Sequence, residues 1–344
     1  MGAVDQPASL DHRSTFQASV RQTLNEVDQQ LRTRSAVDVR TVPTGWEILD
    51  EVLAGGLHAG ELLLLGGPPG VGKTITGLQW ARNVARSGKR ALFICYEHTP
   101  ATLLTRLLTL EAAESGGGQG ISRTITDALA ASDSQGRSLE DTLAETDGGR
   151  EALERVHSYA DDLVLVRASG AHTTLEAVAE VVRQHTDPRR GTVVFIDYVQ
   201  KIPLHPEPEF EAEKVTRSVE GLKDLALEHH VPVVAISAVD RTAMAGGRIR
   251  MHHLRGSSAV AFESDVVLML NDKHRAVSKV HLSYDERAER TFREWVVFSI
   301  EKNRGGPALL DLEFHKDFSR YRFDPEGGIV SERLVDERLD EHEL

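Results

Sequence analysis

A glycine-rich loop between an apolar run and a predicted helix constrains this chain more than any other feature. Residues 66–74 read Gly-Gly-Pro-Pro-Gly-Val-Gly-Lys-Thr and directly follow the apolar run at 62–65. This matches the phosphate-binding pattern G-x-x-x-x-G-K-[ST], whose glycines let backbone N–H groups converge on an anion. The sequence therefore predicts a strand, a phosphate-binding loop and a helix whose positive dipole end faces the ligand. The minor alternative is a glycine turn of a sugar or dinucleotide enzyme.

The residues of this loop have different expected roles. Lys73 supplies a mobile positive charge for the outer phosphates of a nucleotide, and the Thr74 hydroxyl is expected to bind Mg²⁺. The residues expected to hold the nucleotide are Gly67, Pro68, Pro69, Gly70, Val71, Gly72, Lys73 and Thr74.

Two further apolar runs each end in a carboxylate, Glu97 after residues 92–96 and Asp197 after residues 193–196. In a parallel sheet both strand ends reach the edge where ligands bind. We therefore expect Asp197 to hold Mg²⁺ and Glu97 to act as the general base that polarises the attacking water. For each residue the alternative is a cap on the following turn or helix. Cys95 is interpreted as a core residue.

Composition excludes several classes of protein. The single cysteine excludes an intramolecular disulfide and a cysteine-built zinc site. Because the net charge is −13, any contact with nucleic acid must come from a local basic patch. No apolar run approaches the length of a membrane span, and the N-terminus carries no signal-peptide pattern, so we expect a cytoplasmic protein without membrane contact.

Predicted strands and helices alternate from residue 61 to residue 270, which indicates an α/β fold with a mostly parallel twisted sheet flanked by helices. Later strands, at 294–301, 309–314 and 320–323, predict antiparallel hairpins at the C-terminal end. A capping box at Thr173–Glu176 is predicted to open a helix that runs to Gln184.

The remaining segments are predicted to be peripheral. Residues 1–13 are polar and expected to be disordered. Residues 14–41 carry an amphipathic helix, and its apolar stripe consists of Phe16, Val20, Leu24, Val27 and Leu31. Residues 111–150, rich in glycine and acidic residues, are predicted to be a flexible insertion that contains a short helix at most. Residues 324–344 are predicted to be an acidic tail, and the insertion and tail are candidate surfaces for protein partners.

The ordered motifs of residues 42–323 resemble the DnaB-like helicase C-terminal domain, a branch of the RecA-like ATPases that also includes RadA and KaiC. The resemblance rests on several segments besides the phosphate-binding loop. They are Val42-Pro43-Thr44-Gly45, Tyr96-Glu97, Asp197-Tyr198-Val199-Gln200, the strand 231–237, Leu254-Arg255-Gly256-Ser257 with Asp265, and Lys302-Asn303-Arg304-Gly305-Gly306-Pro307.

This resemblance implies a RecA-like P-loop ATPase that assembles into a homo-oligomer, a hexameric ring or a helical arc, with ATP and Mg²⁺ at each junction. It also implies that Lys302 and Arg304 project into the neighbouring subunit's site, where the arginine stabilises charge on the γ-phosphate. For Arg304 the alternative is a surface charge on a hairpin. The helix at 14–34 occupies the position of the family's linker helix, which docks on the adjacent subunit. The alternative is that this helix packs against its own chain.

Two features depart from the family pattern. Ala238 stands where DnaB-like proteins usually have a polar γ-phosphate sensor, so sensing falls to Asp240 or Arg241, or coupling is weak. The family's N-terminal helical domain has no counterpart in this sequence, and we therefore expect a protein other than a standard replicative helicase.

The candidate second central loop, 240–255, carries Arg241, Arg248, Arg250 and Arg255, which we expect to contact single-stranded DNA. The alternative is that these arginines form salt bridges at an interface between subunits. The candidate first loop, 201–213, is acidic, which argues against contact with nucleic acid. Two functions therefore stay open. One is a helicase-like motor that couples ATP hydrolysis to translocation on single-stranded DNA. The other is a KaiC-like or RadA-like regulatory or scaffold ATPase that recruits protein partners without unwinding.

Overall fold

The apolar runs of the sequence form one ten-stranded sheet in the unit that spans Val39–Leu344. The computed structural model describes residues 19–33, 41–130, 138–187, 190–240, 247–256, 262–278 and 286–336. The strands are β1 (Thr41–Val42), β2 (Leu57–His58), β3 (Leu62–Gly67), β4 (Arg90–Cys95), β5 (Leu163–Arg167), β6 (Thr192–Asp197), β7 (Val233–Ala238), β8 (Val266–Asp272), β9 (Trp295–Asn303), β10 (Leu310–Asp317), β11 (Arg322–Phe323) and β12 (Gly328–Ile329).

The helices of this unit lie mainly between the strands. They are α2 (Glu47–Val52), α3 (Lys73–Arg86), α4 (Pro100–Ala113), α5 (Ile121–Ala130), α6 (Leu139–Ala144), α7 (Gly149–Tyr159), α8 (Leu175–His185), α9 (Glu211–His229), α10 (Lys273–Ala276) and α11 (Glu286–Arg293). Helix α1 (Val20–Thr33) belongs to a separate unit, Met1–Asp38, and confirms the helix predicted within 14–34 for the residues that are described. Its Val20 and Leu24 side chains are exposed, and what covers the predicted stripe stays a prediction.

The order of strands in the large sheet is β11-β10-β9-β8-β3-β7-β6-β4-β5, with β12 on β10. The strands from β8 to β5 run parallel, whereas β9, β10 and β11 are antiparallel to their neighbours. The α/β prediction with antiparallel hairpins at the C-terminal end is therefore confirmed. Strand β5 was not predicted.

Both faces of the sheet are buried, because alternate residues of each parallel strand point to opposite sides. In β3, Leu63 and Leu65 pack in the cluster that contains Trp80 of α3, whereas Leu62 and Leu64 pack in the cluster that contains Leu222 of α9. Since the faces are closed, a ligand can approach the parallel strands only at their ends. No helix in the described ranges is long and apolar enough to cross a lipid bilayer.

The segment 111–150 was wrongly predicted to be a flexible insertion with a short helix at most. Its described residues complete α4, form α5 and α6 and begin α7, which packs against α4. Ile121, Ile125 and Leu143 are buried, so the apolar faces of these helices extend the core. Among the described glycines of this segment, Gly116, Gly117, Gly118, Gly120 and Gly148 lie in the connections between helices.

The acidic tail, 324–344, was also predicted to be peripheral, yet its first part belongs to the fold. Strand β12 pairs with β10, and the Val335 N–H donates to the Ala276 carbonyl at 2.8 Å. Glu332 forms an ion pair with the buried Lys273 at 2.9 Å. Residues 328–336 are therefore held to the sheet by backbone and charge contacts, and the rest of the predicted tail, 337–344, lies outside the described residues.

Helix α8 begins one residue later than the predicted capping box requires. Thr174 is its N-cap, and its hydroxyl accepts from the Ala177 N–H at 3.4 Å. The Thr173 hydroxyl instead accepts from the Ser169 N–H at 2.9 Å, which closes the preceding turn.

Candidate functional site

The glycine-rich loop joins β3 to α3 and has backbone geometry that side chains would disturb. Gly67 has a φ of 149°, and a Cβ there would lie 2.7 Å from the Leu270 carbonyl oxygen. Gly72 has a φ of 104°, and its Cβ would lie 2.6 Å from the Phe318 ring. Gly72 also caps α3 without any side-chain hydrogen bond, so the first N–H groups of the helix can receive an anion.

The loop lies at the carboxyl ends of β3, β4, β6 and β7, where an open cleft of about 370 Å³ runs. The cleft is lined by Pro69, Gly70, Gly72, Lys73, Thr74, Ile75, Glu97, His98, Arg106, Asp197, Tyr198, Ile236, Ala238 and Tyr321. It therefore brings together the predicted phosphate, metal and base residues Lys73, Thr74, Asp197 and Glu97.

The Lys73 ammonium is folded back onto its own loop. Its Nζ donates to the carbonyl oxygens of Gly67 at 2.7 Å and Pro68 at 2.9 Å. Burial lowers the pKa of Lys73 to about 8, although Asp197 and Glu97 oppose this shift. A phosphate group in the cleft would supply a nearby negative charge and favour the protonated lysine.

Thr74 and Asp197 form the floor of the cleft. The Thr74 hydroxyl donates to Asp197 Oδ2 at 2.8 Å, and the aspartate is 1% exposed. Burial raises the pKa of Asp197 to about 6, because the charged carboxylate has lost most of its water. One carboxylate and one hydroxyl beside a phosphate-binding loop fit Mg²⁺, which usually keeps several waters and binds substrate phosphates. The Asp197 side chain is thus directed at the first turn of α3, and its role as a metal ligand stays a prediction.

Glu97 follows β4 and its side chain is exposed at the cleft. The alternative in which Glu97 caps the next helix is not what the structure shows, since Thr99 is the N-cap of α4 and accepts from the Thr102 N–H at 3.2 Å. The neighbouring Tyr96 donates its hydroxyl to the Thr173 carbonyl at 2.8 Å, which fixes the end of the strand. Cys95 is fully buried, as predicted, and burial raises the pKa of its thiol to about 11.

Three lining residues with polar or charged groups were not predicted from the sequence: His98, Arg106 and Tyr321. The Arg106 guanidinium lies over the Tyr321 ring, 5.3 Å from its centre. Arg106 lies on α4 between the buried Leu103 and Leu107. A charged residue beside this apolar stripe was the sequence feature that could have marked Arg106 as a site residue. Tyr321 has a φ of 50°, and this backbone conformation has no signature in the sequence.

Ala238 lines the cleft at the end of β7, as its place in the sequence motif implied. Its N–H donates to Gln200 Oε1 at 3.2 Å, and Gln200 Nε2 donates to the Ser237 hydroxyl at 3.0 Å. Gln200 thus joins the end of β7 to the segment that follows β6. Asp240, one of the two candidate sensors, lies 3.4 Å from Arg255 Nε, and the other, Arg241, lies outside the described residues.

Lys302 and Arg304 lie beside the amino ends of the parallel strands, opposite the carboxyl ends that carry the phosphate-binding loop. Asn303 pairs with Val266 at the start of β8, which is beside the start of β3, whereas the phosphate-binding loop follows the end of β3. At about 3.3 Å per residue, β3 separates the two edges by roughly 16 Å. Neither side chain lines the cleft of its own chain.

The three described arginines of residues 240–255, namely Arg248, Arg250 and Arg255, are engaged with carboxylates of the same chain. Arg248 is 9% exposed and pairs with Asp311 and Glu301, so the prediction that it contacts nucleic acid is corrected: it is a buried structural ion pair. Arg250 pairs with Glu301 at 2.7 Å and Asp336 at 3.0 Å.

Arg255 pairs with Glu211 and Asp240, and both Arg250 and Arg255 keep part of their side chains exposed. These contacts resemble the predicted salt-bridge alternative, but they lie within one chain.

Comparison with known proteins places these features in one family. The family model described as the DnaB-like helicase C terminal domain matches residues 41–323. The replicative DNA helicase DnaB of Treponema pallidum is 27% identical over 301 residues, which are 87% of this chain and 59% of that protein. The replicative DNA helicase DnaC of Bacillus subtilis is 26% identical over 317 residues, 89% of this chain and 62% of that protein. The chain thus spans somewhat more than half the length of these relatives.

Solved structures share the fold. One of them, described as an ATPase domain, superposes with a TM-score of 0.70 at 18% identity and covers 90% of this chain and 99% of that one. A DnaB-like replicative helicase, described with its interactions with primase, superposes with a TM-score of 0.65 at 18% identity, covering 90% of this chain and 67% of that one. These matches show that the chain shares its fold with both structures.

Proposed function

The chain belongs to the DnaB-like helicase C-terminal domain family, and from this premise we propose that it hydrolyses ATP at the junctions between copies of itself. The copies form a ring, with six members as the expected number, or a helical arc. The phosphate-binding loop holds the triphosphate. Thr74 and Asp197 would hold Mg²⁺, and the ion would neutralise phosphate charge there. Glu97 orients a water molecule and accepts its proton as the water attacks the γ-phosphorus and ADP leaves.

One observation carries this proposal: the groups needed for hydrolysis are divided between opposite edges of one sheet. Lys73, Thr74, Glu97 and Asp197 share the cleft, whereas Arg304 lies beside the start of β3. An arginine side chain cannot cross the roughly 16 Å between these edges. Charge stabilisation by Arg304 therefore requires a second copy whose cleft faces this edge, and Lys302 accompanies it there.

Mixed assemblies test the division of the site. Arg304→Ala should lower turnover on the order of 10³-fold, because the charge developing on the γ-phosphate loses its partner. Glu97→Gln should inactivate the cleft but leave Arg304 in place. Mixing the two variants should restore turnover, since junctions then form between an intact cleft and an intact arginine. A mixture that stays as inactive as its components would show that Arg304 acts within its own chain or elsewhere.

Hydrolysis is further proposed to be coupled to binding and translocation of single-stranded DNA. The names of the relatives support this helicase-like function, as do the partly exposed Arg250 and Arg255. The second candidate is a regulatory or scaffold ATPase that recruits protein partners. It is favoured by the ion pairs of Arg250 with Asp336 and of Arg255 with Glu211, which satisfy these arginines without nucleic acid.

ATP turnover with and without single-stranded DNA separates the two candidates. The motor predicts stimulation by the strand that falls with increasing salt and that Arg250→Ala with Arg255→Ala removes. The exposed Arg183, which pairs with Glu180 on α8, provides the matched control, and Arg183→Ala should leave the stimulation intact. A turnover rate that ignores the strand at every salt concentration would favour the scaffold.

A further inference from the structure

Asp265 holds Arg304 through both its backbone carbonyl and its side chain. The Arg304 N–H donates to the Asp265 carbonyl at 3.0 Å, and Arg304 Nη1 donates to Asp265 Oδ1 at 3.2 Å. The guanidinium also donates to the Phe262 carbonyl. About half of the side chain, 52%, is nevertheless exposed, so the charge is fixed in direction and still accessible.

Asp265 is itself fixed in place. It is 6% exposed, and its Oδ2 accepts from the Leu62 N–H at 2.8 Å and from Lys223 Nζ at 2.7 Å. Its own N–H donates to the Leu62 carbonyl at 2.9 Å, and Lys223 Nζ reaches the Gly60 carbonyl at 2.7 Å. With both oxygens bonded, the carboxylate cannot turn without breaking contacts to the start of β3 and to α9.

Lys223 also affects the net charge of the cluster that it forms with Asp265 and Arg304. Asp265 alone would neutralise the arginine and weaken its attraction for a phosphate. Because Lys223 pairs with the same carboxylate, the three side chains together keep one positive charge. Preorganised charge of this kind costs no rearrangement when negative charge develops on a reacting group.

We infer that Asp265, balanced by Lys223, is the positioning residue that presents Arg304 to the nucleotide cleft of a second copy. This inference rests on hydrolysis at junctions between copies, as proposed above. Asp265 does not line the cleft of its own chain, so its effect on the reaction passes through the arginine. Its loss should therefore damage the junction that the chain donates to and spare the cleft that the chain carries.

The test uses the full chain and measures kcat and KM for ATP. Asp265→Asn should lower kcat by about 10- to 10²-fold, the range expected when a reacting group is misplaced by about 1 Å. Its KM should stay unchanged because its own cleft is intact. Mixing Asp265→Asn with Glu97→Gln should restore turnover, as mixing Arg304→Ala with Glu97→Gln does.

Lys223→Gln provides a second variant in case asparagine at 265 prevents folding. It should show a smaller loss of kcat that the Glu97→Gln partner also restores. Lys214→Gln is the matched control, since Lys214 lies on the same helix and pairs with Glu207 away from this cluster. It should leave kcat unchanged.

The outcomes distinguish the inference from its premise. Recovery with Arg304→Ala but not with Asp265→Asn or Lys223→Gln would mean that the cluster serves folding alone, which overturns the inference only. Unchanged or higher kcat in Asp265→Asn would mean that the aspartate restrains the arginine instead of presenting it, which also overturns the inference. Failure of the Arg304→Ala mixture overturns both the inference and hydrolysis at junctions.

Discussion

Replacing Lys73 with alanine should lower the affinity for Mg·ATP by about 10²-fold or more, which in practice abolishes binding. Lys73 is the only lysine in the described lining of the cleft, and its ammonium lies beside the loop that would surround the phosphates. Charge-assisted hydrogen bonds contribute about 1.5–3 kcal/mol each. Two such bonds to the outer phosphates account for about 3–6 kcal/mol, or roughly two to four powers of ten in affinity.

Titration calorimetry with a non-hydrolysable ATP analogue and Mg²⁺ measures this loss. Lys89→Ala is the matched control, because Lys89 lies just beyond the other end of α3 and should leave the affinity unchanged. Thermal unfolding without nucleotide checks that the Lys73 variant is folded. A folded Lys73→Ala protein that binds as tightly as the native chain would refute the assignment of the phosphate-binding loop.

Glutamine in place of Glu97 should leave nucleotide binding intact and lower kcat by roughly 10²-fold or more. The amide keeps the size of the side chain but cannot accept the proton of the attacking water, and general-base catalysis typically contributes about 10²- to 10⁴-fold. Because the exposed Glu97 side chain caps no helix, the substitution should disturb little of the fold.

Single-turnover measurements isolate the chemical step from product release in this variant. Glu151→Gln, an exposed glutamate on α7, serves as the control for the charge change and should turn over normally. If Glu97→Gln hydrolyses ATP at the native rate in a single turnover, another group accepts the proton and Glu97 has no part in the chemistry.

The parts of the fold that could be predicted are those whose signals are local. Strand β6 coincides with the apolar run 193–196 and the Asp197 that follows it, because an apolar run that ends at a polar residue is a local signal. The phosphate-binding loop was predictable because only glycine tolerates its backbone angles. The meeting of Glu97 and Asp197 in one cleft followed from the rule that parallel strand ends lie at one edge of the sheet.

The failures depend on contacts distant in sequence. Helix α7 owes its place to packing against α4, and the composition around it suggested a flexible loop instead. Arg248 was predicted to be exposed because arginines crowd its segment, but Asp311 and Glu301, on β10 and β9, pair with it in the interior. The edge strand β5 is short and mostly half-buried, so it lacks the continuous apolar run of its neighbours.

A single strand, β3, ends in the phosphate-binding loop and begins at the backbone that holds Asp265. A shift of the loop along the strand axis would therefore reach Asp265 and, through it, Arg304. Because coupling of this kind is reciprocal, a displacement of Arg304 by the proposed neighbouring copy would also be felt at the chain's own phosphate-binding loop.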